Sequence, residues 1–338
     1  MALYCGIDLH SNNSYVAVRT KEGEDVLCRR LRNDLATILQ SLEPYRGELE
    51  AIAVESTYNW YWLVDGLIAA GYDVRLVNTT KAADYSGMKY TDDRHDARWI
   101  AHLLALGILP EGYIMPPQER SLRDLVRRRS MLVEKRTSLL LSVGTTVTRS
   151  TGIKVPTDEI VDLSIADLRR LVGEELVTES IALVLPVIRV LSQQIKAIEK
   201  KILAHGKLRP EFALLKTAPG IGDVLALTVM CETGDIRRFK DVGNYASYCR
   251  SVKCERWSNL KRKGSGNRKN GNKYLSWAYS EAAHHWRRLD PRAKLWFEHK
   301  RKRSHVMVAN RALANKMARA CYFVLRDQVP FDPSRMFH

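Results

Sequence analysis

The sequence predicts an α/β domain built on a mixed sheet, followed by a longer and mainly helical region. Three observations carry this expectation. Short β-rich runs alternate with helix-period runs over the first hundred residues. Charged helical sequence extends from Pro117 to about His205, and glycine, aromatic and basic residues concentrate from Leu208 onward.

Leu3 to Leu9, Ser14 to Thr20 and Asp25 to Leu31 are β-rich runs separated by the turn-prone stretches His10-Ser11-Asn12-Asn13 and Lys21-Glu22-Gly23-Glu24. They predict an antiparallel meander. A helix follows, capped by Asn33 and carrying Leu35, Ile38, Leu39 and Leu42 at three-to-four spacing. Leu49 to Val54 then predicts an apolar strand, Trp60 to Ala70 a helix, Asp73 to Val77 a strand and Asp93 to Leu106 a helix. The order β-β-β-α-β-α-β-α is that of the RNase H-like fold, a mixed sheet covered by helices.

Beyond it, Ser121 to Ser142 carries Arg123, Arg127, Arg128, Arg129, Lys135 and Arg136, while Val184, Val187, Leu191, Ile195, Ile198 and Ile202 mark a second, amphipathic helix. Pro186 falls in the first turns of that helix or kinks it. Two such helices predict either a coiled-coil-like arm or an ordinary packed pair. The three parts are bounded at 1–115, 116–205 and 206–330.

With 54 Lys plus Arg against 38 Asp plus Glu in 338 residues, the formal charge is +16, which favours a polyanionic partner. Nucleic acid is the first expectation. No run of about 18 apolar residues is visible, and the N-terminus lacks the layout of a signal peptide, so no membrane is expected and a cytoplasmic, nucleoid-associated place is. The six cysteines show no C-x-x-C spacing and read as reduced and mostly buried.

Four acids stand where chemistry can use them. Asp8 and Glu55 end two apolar strand runs, and an acid there must be solvated, paired or bound to metal. Asp93 and Asp96 share one helical face at i and i+3, with Asp92 competing with Asp93 as cap or ligand. Four converging carboxylates repel unless cations lie among them, and hard oxygen donors suit Mg²⁺ or Mn²⁺. Gly6-Ile7-Asp8 also opens actin-like ATPases and sugar kinases, but the phosphate loop and adenosine site those folds need are not found in the helical middle of this chain.

Toward the C-terminus, Thr217 to Gly222 precedes the helical run Val224 to Met230. Gly220 and Gly222 there expose backbone N–H groups suited to a phosphate, as in helix-hairpin-helix elements, or simply form a turn. Lys261, Arg262, Lys263, Arg268, Lys269 and Lys273 fall within thirteen residues that contain no acid. With Arg127 and Arg128 they are the candidate nucleic-acid contacts. A serine beside such a loop, Ser258, can attack phosphorus or merely bind phosphate.

Gly6-Ile7-Asp8-Leu9-His10, Glu55-Ser56-Thr57, Asp93-Arg94-His95-Asp96-Ala97-Arg98, Thr217 to Gly222, Gly234-Asp235 with Phe239, and Lys269-Asn270-Gly271-Asn272-Lys273-Tyr274-Leu275 occur in one order along nearly the whole chain. In this the chain resembles the insertion-sequence transposases with a DEDD tetrad, the prokaryotic recombinases guided by a bridge RNA. The resemblance implies a RuvC-like N-terminal domain, a coiled-coil connector and a mainly helical C-terminal transposase domain holding a serine nucleophile. It assigns Asp8, Glu55, Asp93 and Asp96 to the metal-binding tetrad and Ser258 to the nucleophile. It further implies donor and target DNA and a non-coding bridge RNA as partners, and a homotetramer built as a dimer of dimers.

This chain departs from the family pattern at several places. Tyr58 stands where a glycine often follows the Glu-x-Thr step, Arg250-Ser251-Val252-Lys253 replaces a Gly-Leu-x-Pro segment, and Asn259 replaces the glycine after the serine. Ser251 and Ser265 are therefore alternative registers for the nucleophile. A hydrolytic nuclease of the junction-resolvase type would need only the tetrad. A non-catalytic nucleic-acid-binding protein would need neither the tetrad nor the serine.

Overall fold

In the computed structural model, residues 1–82, 92–265 and 269–337 are described. The chain divides into two compact units, Met1–Met115 and Pro116–His338.

The first unit is built on a six-stranded sheet. β1 (Leu3–Leu9), β2 (Asn13–Thr20) and β3 (Asp25–Arg32) form the antiparallel meander that the alternating runs predict. β4 (Leu49–Glu55) then pairs parallel to β1, and β5 (Val74–Val77) pairs parallel to β4, giving the order β3-β2-β1-β4-β5-β6. The edge strand β6 (Glu111–Gly112) runs antiparallel to β5. It escapes the sequence reading because two residues carry no period.

Strand alternation sorts the side chains into two layers. Cys5, Ile7, Leu9, Ile52 and Val54 form one core with Ile38 and Leu42 of α1 (Leu35–Leu42) and Leu63, Val64 and Leu67 of α2 (Tyr61–Ala69). Residues of opposite parity, Gly6, Asp8, Ala53 and Glu55, face the other way. Ala53 there packs with Ile100 of α4 (Asp93–Ala105), while the short α3 (Thr79–Ala82) follows β5.

One cap differs from expectation. Asp34, not Asn33, caps α1 by accepting from the Thr37 N–H at 2.8 Å. Asn33 is engaged elsewhere, accepting from Ser14 Oγ at 2.6 Å and donating to the His10 carbonyl at 2.8 Å.

The second unit begins with a helical hairpin. α5 (Pro117–Thr151) and α8 (Glu175–Gly206) run antiparallel: Val143 and Val147 meet Ile181 and Leu185 at one end, and Arg129 reaches Glu199 at 2.7 Å toward the other. The short helices α6 (Thr157–Ile160) and α7 (Ile165–Val172) close the far end through Ile160 and Leu168. Pro186 lies three turns inside α8, deeper than the first turns, and the helix continues through it. By length and composition α8 is apolar enough to cross a bilayer. Scattered Thr, Ser and Gln break the uninterrupted run that the sequence reading sought, and its apolar face packs on α5.

The rest of the unit wraps α9 (Pro210–Lys216), α10 (Asp223–Thr233), α11 (Val242–Tyr248), α12 (Lys273–Leu289), α13 (Pro291–Lys302) and α14 (Val306–Asp327) around a large core containing Trp286, Tyr245, Tyr279 and Phe297. A two-stranded hairpin, β7 (Glu255–Ser258) with β8 (Lys261–Ser265), stands between α11 and α12. All six cysteines are free, and Cys5, Cys231, Cys249 and Cys321 are buried.

Candidate metal centre and nucleic-acid interface

The register of β1 against β4 pairs Ile7 with Val54, so Asp8 and Glu55 follow side by side at the carboxyl ends of two parallel strands. Both face the layer that α4 covers. At Gly6 the helix lies directly on the strand: a Cβ there would overlap the carbonyl oxygen of Ala97 and come within 2.6 Å of the Ala101 nitrogen. Only a residue without a side chain permits that approach, which brings the first turn of α4, with Asp93 and Asp96, over Asp8.

Asp92 caps α4 by accepting from the His95 N–H at 2.8 Å, which frees Asp93 to face the cluster. His95 stacks on Trp99 with ring centroids 6.2 Å apart. Arg98 ties the helix to the meander through Asp25 at 2.6 Å.

Asp8 is 2% exposed, and its Oδ2 is buried without a hydrogen-bond partner. Burial first, then the neighbouring Glu55 carboxyl and the charges of Asp96 and Asp93, push its pKa up to about 9. Asp96 is also raised, by desolvation against the opposing influence of His95, with Glu55 and Asp93 adding repulsion. A buried carboxylate ringed by like charges is the environment that a divalent cation stabilises. The donor set therefore fits a metal.

Sequence reasoning missed one member of this cluster. His10 Nε2 lies 3.2 Å from Asp8 Oδ2 and 3.3 Å from Asp93 Oδ2, and one ligand atom from each of Asp8, His10 and Asp93 falls within 4.8 Å of the others. The signal was the i, i+2 spacing of Asp8 and His10, which puts both on one side of an extended chain. The turn at His10 is fixed by two amides: its carbonyl accepts from Asn33 Nδ2 and from Asn59 Nδ2 at 3.0 Å, and Asn59 in turn accepts from Thr57 Oγ1 at 2.8 Å.

In the second unit, Ser258 ends β7 and is exposed beside the turn Asn259-Leu260. Asn259 has φ 49° and Leu260 φ 58°, both in the left-handed region. Ser251 is buried, donating from Oγ to the Ala246 carbonyl at 2.8 Å and accepting from Asn315 Nδ2 at 3.2 Å. The Ser265 side chain and the whole of Arg268 lie outside the described residues.

Lys261, Arg262, Lys263, Lys269 and Lys273 are exposed around this hairpin, Arg262 lying 3.6 Å from Glu255 and Lys273 Nζ 5.0 Å from the Tyr274 ring centre. Gly222 opens onto free space at the N-cap of α10. Gly220, at φ 91°, is held by packing: a Cβ there would lie 2.6 Å from the Ala282 carbonyl oxygen and 2.7 Å from the Trp286 nitrogen of α12.

Arg128 is exposed on α5, whereas Arg127 forks onto Glu232 at 2.6 and 2.7 Å. Glu232 is 1% exposed and also accepts from Asn272 Nδ2 at 2.6 Å. That network joins α5, α10 and the start of α12.

Two family models match the chain. A DEDD transposase model of IS110 elements matches residues 5–149, and a model described as transposase of the IS116/IS110/IS902 family matches residues 212–298. A protein of Pseudomonas aeruginosa described as a probable family 20 transposase is 25% identical over 330 residues, covering 92% of this chain and 93% of its own length.

Proposed function

Because this chain belongs to the IS110/IS116 transposase family and so is an enzyme that cleaves and rejoins DNA, we propose that it exchanges strands between donor and target DNA under the guidance of a structured bridge RNA. Ser258 is the nucleophile and Asp8, Glu55, Asp93 and Asp96 are the metal-binding tetrad. The observation that carries this reading is the crowding of Glu55, Asp93 and Asp96 around the buried Asp8 carboxyl, whose pKa they help to raise.

Divalent metal use follows from the family. Mg²⁺ or Mn²⁺ held there would neutralise charge on a phosphodiester and stabilise its leaving oxygen. Asp8, once deprotonated, would hold the ion with Glu55, Asp93 and Asp96, and His10, facing Asp8 and Asp93, would orient them.

In the cleavage step, Ser258 Oγ forms a bond to phosphorus while the bond from phosphorus to the 3′ oxygen breaks. The serine proton leaves and the 3′ oxygen departs as a hydroxyl, giving a 5′-phosphoserine. Attack by a 3′ hydroxyl from the other duplex reverses the step and restores the serine. Basic side chains around the hairpin stabilise charge on the phosphoryl oxygens. Asn259, a residue that tolerates φ 49° better than most, holds the left-handed place next to Ser258 that a glycine would otherwise take, which supports this register.

Sequence choice falls to RNA–DNA pairing, and the protein reads backbone shape through Lys261, Arg262, Lys263, Arg268, Lys269, Lys273 and Arg128. Residues 116–205 serve as a coiled-coil connector and 206–330 as the transposase domain. The working form is a tetramer, a dimer of dimers in the cytoplasm on the nucleoid. Exposed Leu176, Leu183, Val187 and Val190 on α8, at steps of seven, four and three, support self-association.

The test incubates wild type, Ser258→Ala and Asp8→Asn with RNA, donor DNA, target DNA and Mg²⁺, then looks for a covalent protein–DNA band. Wild type alone should give it. Cleavage without the band assigns a hydrolytic nuclease of the junction-resolvase type and ends the serine mechanism. DNA binding without cleavage, unchanged by Asp8→Asn, marks a non-catalytic binding protein.

A further inference from the structure

The second unit brings two arginines together with no carboxylate paired to either among the described residues. Arg250 stands at the foot of the β7–β8 hairpin with φ 53°, a left-handed backbone that strains a residue with a side chain and suits glycine. The Gly-Leu-x-Pro pattern would place a glycine there. This chain keeps a long cationic side chain in a strained place instead. Its Nε donates to the Gly271 carbonyl at 2.9 Å, which fixes the guanidinium plane and leaves both Nη groups outside that bond.

Arg311, in the second turn of α14, reaches across to α12. Its Nη1 donates to Ser276 Oγ at 2.8 Å and lies 3.4 Å from Ser280 Oγ. Desolvation and then the charge of Arg250 hold its pKa below the usual arginine value. Arg127, Arg129 and Arg209 are each matched to a glutamate. Among the described residues, Arg250 and Arg311 are in no ion pair.

Asn315, one turn beyond Arg311 on α14, donates to the Ser251 carbonyl at 3.3 Å, which sets the Arg250-Ser251 step against the helix that carries Arg311. Two guanidinium groups placed so close repel each other unless an anion lies between them. The planar forks of arginine match the oxygens of phosphate, and a serine hydroxyl supplies a further donor. We propose that Arg250, Arg311 and Ser276 form a binding site for one backbone phosphate of DNA at the foot of the hairpin that carries Ser258.

The polyanion is DNA because the chain cleaves and rejoins DNA and because the site shares its loop with the proposed nucleophile. The site rests on that DNA-processing reading and does not require the serine step. A strand held here would be fixed one contact away from the hairpin, so that Ser258 meets a positioned phosphodiester.

Fluorescence anisotropy of the full-length protein with a short labelled DNA duplex, in EDTA and over a range of NaCl, tests the site. Arg250→Gly and Arg311→Gln should each weaken binding about tenfold near 0.1 M salt and lower the slope of log affinity against log salt by about one. The double variant should be little worse than either single change, because both side chains hold the same phosphate. Arg250→Gly relieves the left-handed strain, so its melting temperature should not fall, which separates lost binding from misfolding.

An unchanged slope in a folded Arg250→Gly protein overturns the site. So does a loss confined to an RNA duplex of equal length, or fully additive losses in the double variant. Ser258→Ala should retain the wild-type slope. Loss of the covalent band alone therefore ends the serine step and leaves the phosphate site standing.

Discussion

Gly6 of the first strand and Ala97 of the fourth helix meet backbone to backbone, with no room for even a methyl group between them. The contact sets the height of α4 above the sheet, and with it the distance from Asp93 to Asp8. Gly6→Ala should therefore lift the helix and destabilise the first unit by about 1–3 kcal/mol, the usual range for overpacking. Divalent-metal affinity should fall at least tenfold, because the ligands separate. Thermal melting and isothermal titration with Mn²⁺ read the two effects, and a variant that binds metal normally would show that α4 is positioned by other contacts.

Asp8 makes metal-free stability depend on pH. Its folded pKa, about 9, stands above the ordinary value of 3.8, so the folded state holds the proton more tightly than the unfolded chain. The contribution to stability is fully present below about pH 4 and is lost progressively as pH rises toward 9. Urea unfolding in EDTA should show this decline, and Asp8→Asn should flatten it. Adding Mg²⁺ or Mn²⁺ should reverse the trend above neutrality, because the cation then competes with the proton.

The serines in the basic region should separate by their effect on folding. Ser251→Ala removes a buried hydroxyl that bonds the Ala246 carbonyl and the Asn315 amide, and should cost about 1–2 kcal/mol in urea unfolding while leaving a covalent band. Ser258 is exposed, so its alanine variant should melt like wild type and lose the band. The reverse pattern would move the nucleophile to Ser251.

Arg127→Ala should leave the Glu232 carboxylate buried without its guanidinium. A cost of about 2–4 kcal/mol in unfolding free energy is expected, somewhat below a fully buried pair because Arg127 is 35% exposed. Glu232→Gln, which keeps an acceptor for Asn272 and removes the charge, should be milder. Equal losses in the two variants would mean that the charge itself matters little.

The strands of the first unit were legible because their apolar residues alternate and their turns carry Asn, Gly and Lys-Glu punctuation. The helix capped by Asp34 was legible to within two residues, but its cap was not. Asn33 and Asp34 are both good caps, and the choice is made by Ser14 and His10, which lie far from them in sequence. The carboxylates were legible as strand ends and a helix start. His10 was legible only as a neighbour of Asp8, since its place beside Asp93 emerges when α4 lies on Gly6.

In the second unit the sequence shows the arginines of α5 as one charged helical stretch, with Arg127 and Arg128 together among the candidate nucleic-acid contacts. The structure divides it: Arg128 faces solvent, while Arg127 and Arg129 bond to Glu232 and Glu199. Pairings across so many residues leave no local pattern to read.

The uninterrupted α5 gives the second unit a built-in measure of length. Val126 belongs to the large core near the hairpin base, and Val147 to the small cluster at the far end, about six turns or 30 Å away. That interval is close to one turn of duplex DNA, about 34 Å. Any partner gripping the distal cluster would be held at a helix-defined spacing from the large core, with loop slack contributing nothing. Changes of whole heptads in both arms would preserve the facing surfaces while altering reach, whereas insertion of a few residues would rotate one end relative to the other.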